Sequence, residues 1–246
     1  SDVALSTLIY KMVTISEDTV WATPHPNQKV TILDGATLTL SAPMSLDTVT
    51  MREGAQVKSN LADQTGSVTT KSLRFSPNLS GTGWKAFGMP FTSAVINNST
   101  EEEILAPSQQ SADNGIWFAR LKDNKTPEFV VDETAFGMAG LWAANGDTYT
   151  ISSEGAFEFK TLEEPAAPTE TGTFLMCSNP NTFTITLKQS AYILTADGTS
   201  FEQEANPEIK PFQSFVLTDA KTLSTLRSLR IGDGVVTGNQ TIEPVD

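Results

Sequence analysis

The segment Val30-Thr31-Ile32-Leu33-Asp34-Gly35-Ala36-Thr37-Leu38 returns further along the chain as Val49-Thr50-Met51-Arg52-Glu53-Gly54-Ala55-Gln56-Val57, at one constant offset from end to end. Val68-Thr69-Thr70 opens a third unit at the same spacing, with Leu73-Arg74 where the Gly-Ala pair would fall. Within each unit apolar residues alternate (Val30, Ile32, then Ala36, Leu38, Leu40), and an acidic-Gly pair breaks the alternation where the chain must turn. A short fixed period of strand units marks a β-solenoid or stacked hairpins, in which each unit covers the apolar face of the next. At about 3.3 Å per residue a unit from Val30 to the residue before Val49 has a path of about 60 Å, enough for two or three short strands with turns. The solenoid form predicts that Val30 lies beside Val49 and Ile32 beside Met51. It also puts Gly35 and Gly54 at equivalent bends that need positive φ or lack room for a side chain, so Gly54→Val should cost more than Gln56→Val. The alternative is two ordinary hairpins that echo each other by chance.

Beyond Ser76-Pro77-Asn78 the period stops, which divides the chain into a repeat region, 1–76, and a second domain, 77–246. Strands are predicted at Ile116–Leu121, Glu128–Val131, Asp147–Ser152, Ala156–Leu162, Thr173–Cys177, Thr182–Leu187, Tyr192–Thr195 and Ser214–Leu217. Turn signals stand between them: Asn114-Gly115, Asn145-Gly146-Asp147, Glu154-Gly155, Asp197-Gly198 and Asp233-Gly234. Many short strands with such turns describe a β-sandwich or partly closed barrel. The expected fold class is therefore all-β, a short N-terminal β-solenoid-like or stacked-hairpin region followed by a β-sandwich. Ser99–Leu105 is the single predicted helix, with an acidic first turn and Pro107 beyond it. Glu163–Glu170 reads as an extended exposed loop and Val235–Asp246 as a loose tail.

Composition narrows the function classes. A formal net charge of -13 repels phosphate backbones and anionic lipid heads, so neither nucleic acid nor a membrane surface is an expected partner. The 33 Thr and 22 Ser take the place of charged residues, and β-branched Thr suits a half-solvated pleated surface. No run of 18 apolar residues is present, so no transmembrane segment is expected, and a signal peptide or lipid anchor is expected to have lain upstream of Ser1. The lone Cys177 in Thr173-Phe174-Leu175-Met176-Cys177 reads as a small buried hydrophobe.

Nucleophilic triads and zinc sites both lean on histidine, and the chain has one, His25, between two prolines in an expected exposed loop. Asp113-Asn114, Asp123-Asn124 and Asn145-Gly146-Asp147 place oxygens in turns without an EF-hand spacing, so Asx turns account for them better than calcium. Glycoside cleavage needs only two carboxylates, yet no strand-end pair stands out among the 29 acidic residues. No phosphate-binding or dinucleotide motif is present. The reading is therefore non-enzymatic, with no catalytic residue, metal or cofactor. Trp117, Trp142 and Tyr149 are the speculative glycan-binding residues, because an exposed ring can stack on a sugar. Their apolar neighbours favour core packing for the tryptophans, and Trp84 and Phe91 are expected in the core of the second domain.

Three stretches carry a resemblance. Asp34–Leu40 with Glu53–Val57 resembles the short solenoid coils of secreted surface proteins of gut Bacteroidetes, a broad group described as adhesion or uncharacterised surface modules. Trp84–Phe91 resembles the strand that opens their C-terminal β-domain, and Ile209–Val216 its closing proline, aromatic and extended-strand segment. The resemblance implies export, a cell-surface location and no known catalytic residues, with an unknown protein or glycan as partner. The expected function is a non-enzymatic extracellular surface or adhesion module. The alternatives are a carbohydrate-binding module of a surface glycan-utilisation system and, less in keeping with the residues, a glycoside-active enzyme.

Overall fold

A computed structural model describes residues 12–61, 68–79, 83–91, 95–97, 103–104, 116–126, 129–131, 139–144, 149–231 and 244–245, with 95–97, 103–104, 131, 144, 149, 230 and 244–245 described in backbone only. Among the described residues the protein is all-β with one short helix. It divides into two compact units, Ser1–Arg74 with Gly155–Lys160, and Phe75–Glu154 with Thr161–Asp246.

In the first unit the strands are β1 (Met12–Ile15), β2 (Thr19–Trp21), β3 (Lys29–Ile32), β4 (Thr37–Leu40), β5 (Met44–Arg52), β6 (Gln56–Ser59) and β7 (Val68–Ser76), whose last two residues belong to the second unit. They alternate between two sheets, β1-β3-β5-β7 and β2-β4-β6. Val30 pairs with Val49 and Ile32 with Met51 in parallel register, and Leu38 pairs with Val57. Parallel neighbours at the offset of the sequence repeat, shared between two sheets, are the geometry of a solenoid coil and exclude echoing hairpins. Alternation sends Val30, Ile32, Val49 and Met51 into a stack with at most 1% exposure, while Thr14, Thr31 and Thr50 line up on the other face.

Gly35 and Gly54 have φ of 76° and 78° at equivalent bends. A Cβ on Gly54 would overlap the Asp34 carboxylate, whereas one on Gly35 would meet open space. The third repeat departs from the expected spacing. Thr69 Oγ1 bonds Ser45 Oγ, Thr70 Oγ1 donates to Asp47 O and Lys71 Nζ donates to Asp47 Oδ1, separations of 24, 23 and 24 residues. That path is longer than the offset that relates Val30 to Val49, although it too passes through the Glu53-Gly54 bend. The returning segment Gly155–Lys160 joins the last coil where Phe159 N–H donates to Val68 O.

The second unit contains β8 (Asn78–Leu79), β9 (Lys85–Ala86), β10 (Val95–Asn97), β11 (Glu103–Ile104), β12 (Ile116–Leu121), β13 (Phe129–Val131), β14 (Leu141–Ala144) and most of β15 (Tyr149–Glu158). It continues with β16 (Phe174–Ser178), β17 (Ile185–Thr186), β18 (Ala191–Leu194), β19 (Ser200–Glu204), β20 (Glu208–Ile209), β21 (Ser214–Thr218), helix α1 (Ala220–Thr225), β22 (Ser228–Arg230) and β23 (Pro244–Val245). Sheet β13-β12-β14-β9 and sheet β16-β21-β18-β19-β22-β23 bury a shared cluster that includes Leu121, Phe129, Leu141, Tyr192, Phe201 and Val216. The opposite face of the second sheet packs Cys177, Phe215 and Leu217 against Ile209 of the β17-β20 pair. β21 is thus covered on both faces, which is why Ser-Phe-Val-Leu-Thr is buried at every position rather than alternating.

Several expectations are corrected. Glu154-Gly155 is no turn, since β15 runs straight through it. Glu103–Ile104, the only described part of the predicted helix, is a strand paired with Ile96 and Asn97, so sheet pairing overrides a local helix signal. Pro244–Val245 of the expected tail pairs with Ser228 and Leu229. The strand expected at Thr182–Leu187 shrinks to Ile185–Thr186, and Ile209–Val216 is not extended throughout, because Phe212 adopts φ 58°. Helix Ala220–Thr225 stands where none was predicted, on an Asp219 N-cap whose side chain accepts from Lys221 and Thr222 N–H. Asn114-Gly115, Asn145-Gly146-Asp147 and Asp233-Gly234 lie outside the described residues.

Candidate functional site

The speculative glycan-binding residues form no shared exposed platform among the described side chains. Trp142 has 0% exposure. Its ring stacks on Phe87 with centroids 5.4 Å apart, and its indole Nε1–H donates to Phe87 O at 3.1 Å, so both its apolar body and its polar handle are satisfied internally. Trp117 is half-buried at the margin of the sandwich core. Tyr149 starts β15 with its backbone paired to Leu79, and its side chain lies outside the described residues. Trp84 is buried as expected, but Phe91 is only half-buried, because the chain there is held by its backbone: Phe91 N–H donates to Ser153 Oγ, and Ser153 Oγ donates back to Phe91 O.

His25 lies in a loop, though half-buried rather than exposed, with its ring stacked on Trp21 at 4.3 Å between centroids. The perturbed carboxyls have local explanations. Asp219 is held well below the usual carboxylate range by the Thr222 hydroxyl first, then by the N–H groups of Thr222, Gly172 and Lys221. Asp197 is lowered by the hydroxyls of Thr195 and Thr199 in the turn between β18 and β19. Asp123 is lowered by the N–H groups of Lys125 and Thr126, an Asx turn of the kind its sequence indicated. Burial pushes the Cys177 thiol up to about 12 and the Tyr192 phenol likewise, the latter with the charge of Asp219 adding to the rise. Among the described residues no group of three or more His, Cys, Asp or Glu side chains is placed to hold a metal ion, and no helix is long and apolar enough to cross a membrane.

The concave feature that sequence reasoning missed lies in the second unit, a cleft of about 520 Å³. Thr161, Leu162, Glu163 and Glu164 form one wall, Ile185, Thr186 and Lys188 the other, with Asn181 between them. The first wall belongs to the segment 161–169, which has no regular secondary structure, as the Glu-Pro-Ala-Ala-Pro composition indicated. It is partly exposed as expected, with Glu163 and Ala166 outward and Leu162, Pro165 and Ala167 half-buried, and two carboxamides hold its backbone. Asn181 Oδ1 accepts from Leu162 N–H at 2.7 Å and its Nδ2 donates to Leu162 O at 3.1 Å. Gln189 Oε1 accepts from Ala167 N–H at 3.2 Å and its Nε2 donates to Pro165 O at 2.8 Å. A carboxamide carries one acceptor and one donor group, so it can pair with a peptide as another backbone would. The only sequence signal for this was polar amides near a proline-bearing segment, and nothing in the spacing paired them.

Comparison of the chain with family models, with curated proteins and with solved structures finds no match. The class that fold and site define is an all-β protein of parallel coils and antiparallel sandwich sheets, with an extended segment clamped on the latter.

Proposed function

We propose that the chain is a non-enzymatic module of a bacterial cell surface with an adhesive or architectural role. One observation carries the reading: in the first unit the surface groups form rungs along a buried apolar stack. Thr14, Thr31 and Thr50 follow one another in register, and Asp47 bridges Lys29 at 3.9 Å and Lys71 at 3.3 Å. Rungs at the strand spacing of about 4.8 Å make a flat, evenly spaced surface suited to contact along its length. Catalysis instead needs titratable groups converging on one reacting atom. The resemblance to gut Bacteroidetes surface proteins supports export, and the net charge of -13 argues against nucleic acid as the partner.

The test is to immobilise the full chain and present it to purified extracellular-matrix and mucin proteins and to a glycan array. Saturable protein binding that falls about tenfold or more in a Thr31→Glu/Thr50→Glu variant supports the reading. Turnover of any glycoside in the panel would overturn it. A carbohydrate-binding module is the second reading, and the half-buried Trp117 favours it. In that case glycans bind, and Trp117→Ala abolishes the signal while the threonine variant leaves it unchanged.

A further inference from the structure

The clamped segment is itself a bound extended peptide, supplied in cis. Its contacts with Asn181 and Gln189 are made entirely by its backbone: Leu162 N–H and C=O, Pro165 C=O and Ala167 N–H. Pro165 suits such a site, because it has no N–H to leave unpaired and its fixed φ keeps the segment extended. On the side facing β17 the cleft lies between the segment and Ile185 and Thr186. Along that side the first half of the segment is held through the Asn181 carboxamide rather than by tight packing on β17. The Asn181 carboxamide is in turn fixed from below, where its Nδ2 also donates to Asn179 Oδ1 at 3.3 Å and Asn181 N–H donates to the same oxygen at 2.9 Å. Asn179 is fully buried, and its Nδ2 reaches the carbonyls of Phe183, Ile209 and Lys210.

We infer that Asn181 and Gln189 form a preorganised carboxamide clamp for an extended, proline-bearing polypeptide, and that the chain's own segment 162–167 occupies it as a displaceable strap. The partner is an extended peptide of the same chemistry: a proline whose carbonyl pairs with the clamp, small residues after it as Ala166 and Ala167 follow Pro165, and no demand on the exposed side chains such as Glu163 and Ala166. Recognition by main-chain bonds is the mode used when a strand is added to a sheet, here with side-chain amides in place of the sheet edge. The strap competes at the effective concentration of a tethered segment, about millimolar, so an outside peptide gains access only when it is abundant or multivalent. The inference is independent of the adhesive role proposed above.

The experiment uses the full chain with 162–168 replaced by a Gly-Ser segment of twice that length, and a fluorescein-labelled synthetic peptide of residues 161–169 as probe. Fluorescence anisotropy should show saturable binding at least about tenfold tighter than to the unmodified chain, and Gln189→Ala should weaken it about tenfold, whereas a scrambled peptide should bind no better than to the unmodified chain. A folded strap-replaced chain that shows no saturation overturns the inference, as does binding indifferent to Gln189→Ala. If the replacement prevents folding, amide exchange on the unmodified chain decides. Adding about millimolar peptide should speed exchange at Ala167 several-fold and leave Val216 in β21 unchanged. Equal rates with and without peptide would overturn it.

Discussion

In the first unit strands β1 to β6 pair in parallel at nearly constant offsets, Met12 beside Lys29 and Val30 beside Val49, while the described strand pairs of the second unit run antiparallel and follow no fixed offset, from Ala191–Leu194 on Ser200–Glu204 to Phe174–Ser178 on Ser214–Thr218. The contrast shows two ways of fixing register. A parallel coil has no hairpin to set it, so register rests on side chains that repeat, and a one-residue slip would turn Val30, Ile32, Val49 and Met51 outward together. In the second unit tight turns and buried side-chain bonds set the register locally. Gly198, at φ 70°, closes the β18–β19 hairpin, and Ser214 Oγ accepts from Gly140 N–H inside the core. Damage to the first should therefore act through the bends and the stack, and damage to the second through single large side chains.

The largest effect is expected in the second unit. Trp142→Ala removes a fully buried ring that stacks on Phe87 and packs on Phe118, and it takes the indole donor away from Phe87 O, so it should cost about 3–5 kcal/mol in urea unfolding. A cost below about 1 kcal/mol would mean that the ring is not the centre of that core. Next is Gly54→Val in the first unit. It forces a β-branched residue into the left-handed region and into the Asp34 carboxylate, for about 2–3 kcal/mol. The equivalent Gly35→Ala meets open space and should cost only the backbone term, about 1 kcal/mol. Equal costs at the two glycines would show that the bends, though equivalent in φ, are not limited by sterics.

The same contrast explains what was legible in the sequence. The coils could be read because Val30/Val49 and Gly35/Gly54 carry their structural roles at a constant offset, and the structure reproduces that offset as register. Ile116–Leu121 was legible for a similar reason, as a largely apolar run long enough for one strand. Glu154-Gly155 misled because β15 continues on both sides of it, and tertiary pairing outweighs a two-residue turn preference. The helix Ala220–Thr225 was missed because its signal is the single cap Asp219, without the apolar periodicity that usually marks a helix. The clamp was not legible at all. Asn181 and Gln189 meet Leu162, Pro165 and Ala167 only across 19 to 24 residues of intervening chain, and carboxamide-to-backbone bonds leave no pattern in residue types.

A subtler test of the second unit uses pH. Asp219 caps α1, bonds the Thr222 hydroxyl and accepts from Gly172 N–H, and its charged form is favoured in the folded state. A folded-state value depressed below that of the unfolded chain contributes stability above the unfolded carboxylate value of about 3.9, and that stability is lost as pH falls through the folded value. Asp219→Asn should therefore be less stable than the unmodified chain at neutral pH, with the difference shrinking below about pH 4 in chemical denaturation run at each pH. A difference that stays constant from neutral pH to about pH 3 would assign the effect to packing rather than to the charge.

The smallest effect is expected at the rung Lys29–Asp47–Lys71, and it decides whether polar rungs or the apolar stack hold the coils in register. Asp47 reaches both lysines, yet Lys29 and Lys71 are 47% and 61% exposed, so water screens the pairs. Exposed pairs of this kind are worth about 0–1 kcal/mol, against the roughly 1.5–3 kcal/mol gained by fully burying one aliphatic side chain such as Val49. Asp47→Asn should accordingly cost less than about 1 kcal/mol in urea unfolding, and the cost should fade at about 1 M salt, where the screening length is about 3 Å. The backbone bonds at this position, Asp47 N–H to Gln28 O and the Thr70 hydroxyl to Asp47 O, survive the substitution, so it isolates the charge. A cost above about 2 kcal/mol that persists in salt would transfer the register from Val30, Val49 and Met51 to the charged rung, and would make the surface of the coils, rather than their interior, the part that specifies the fold.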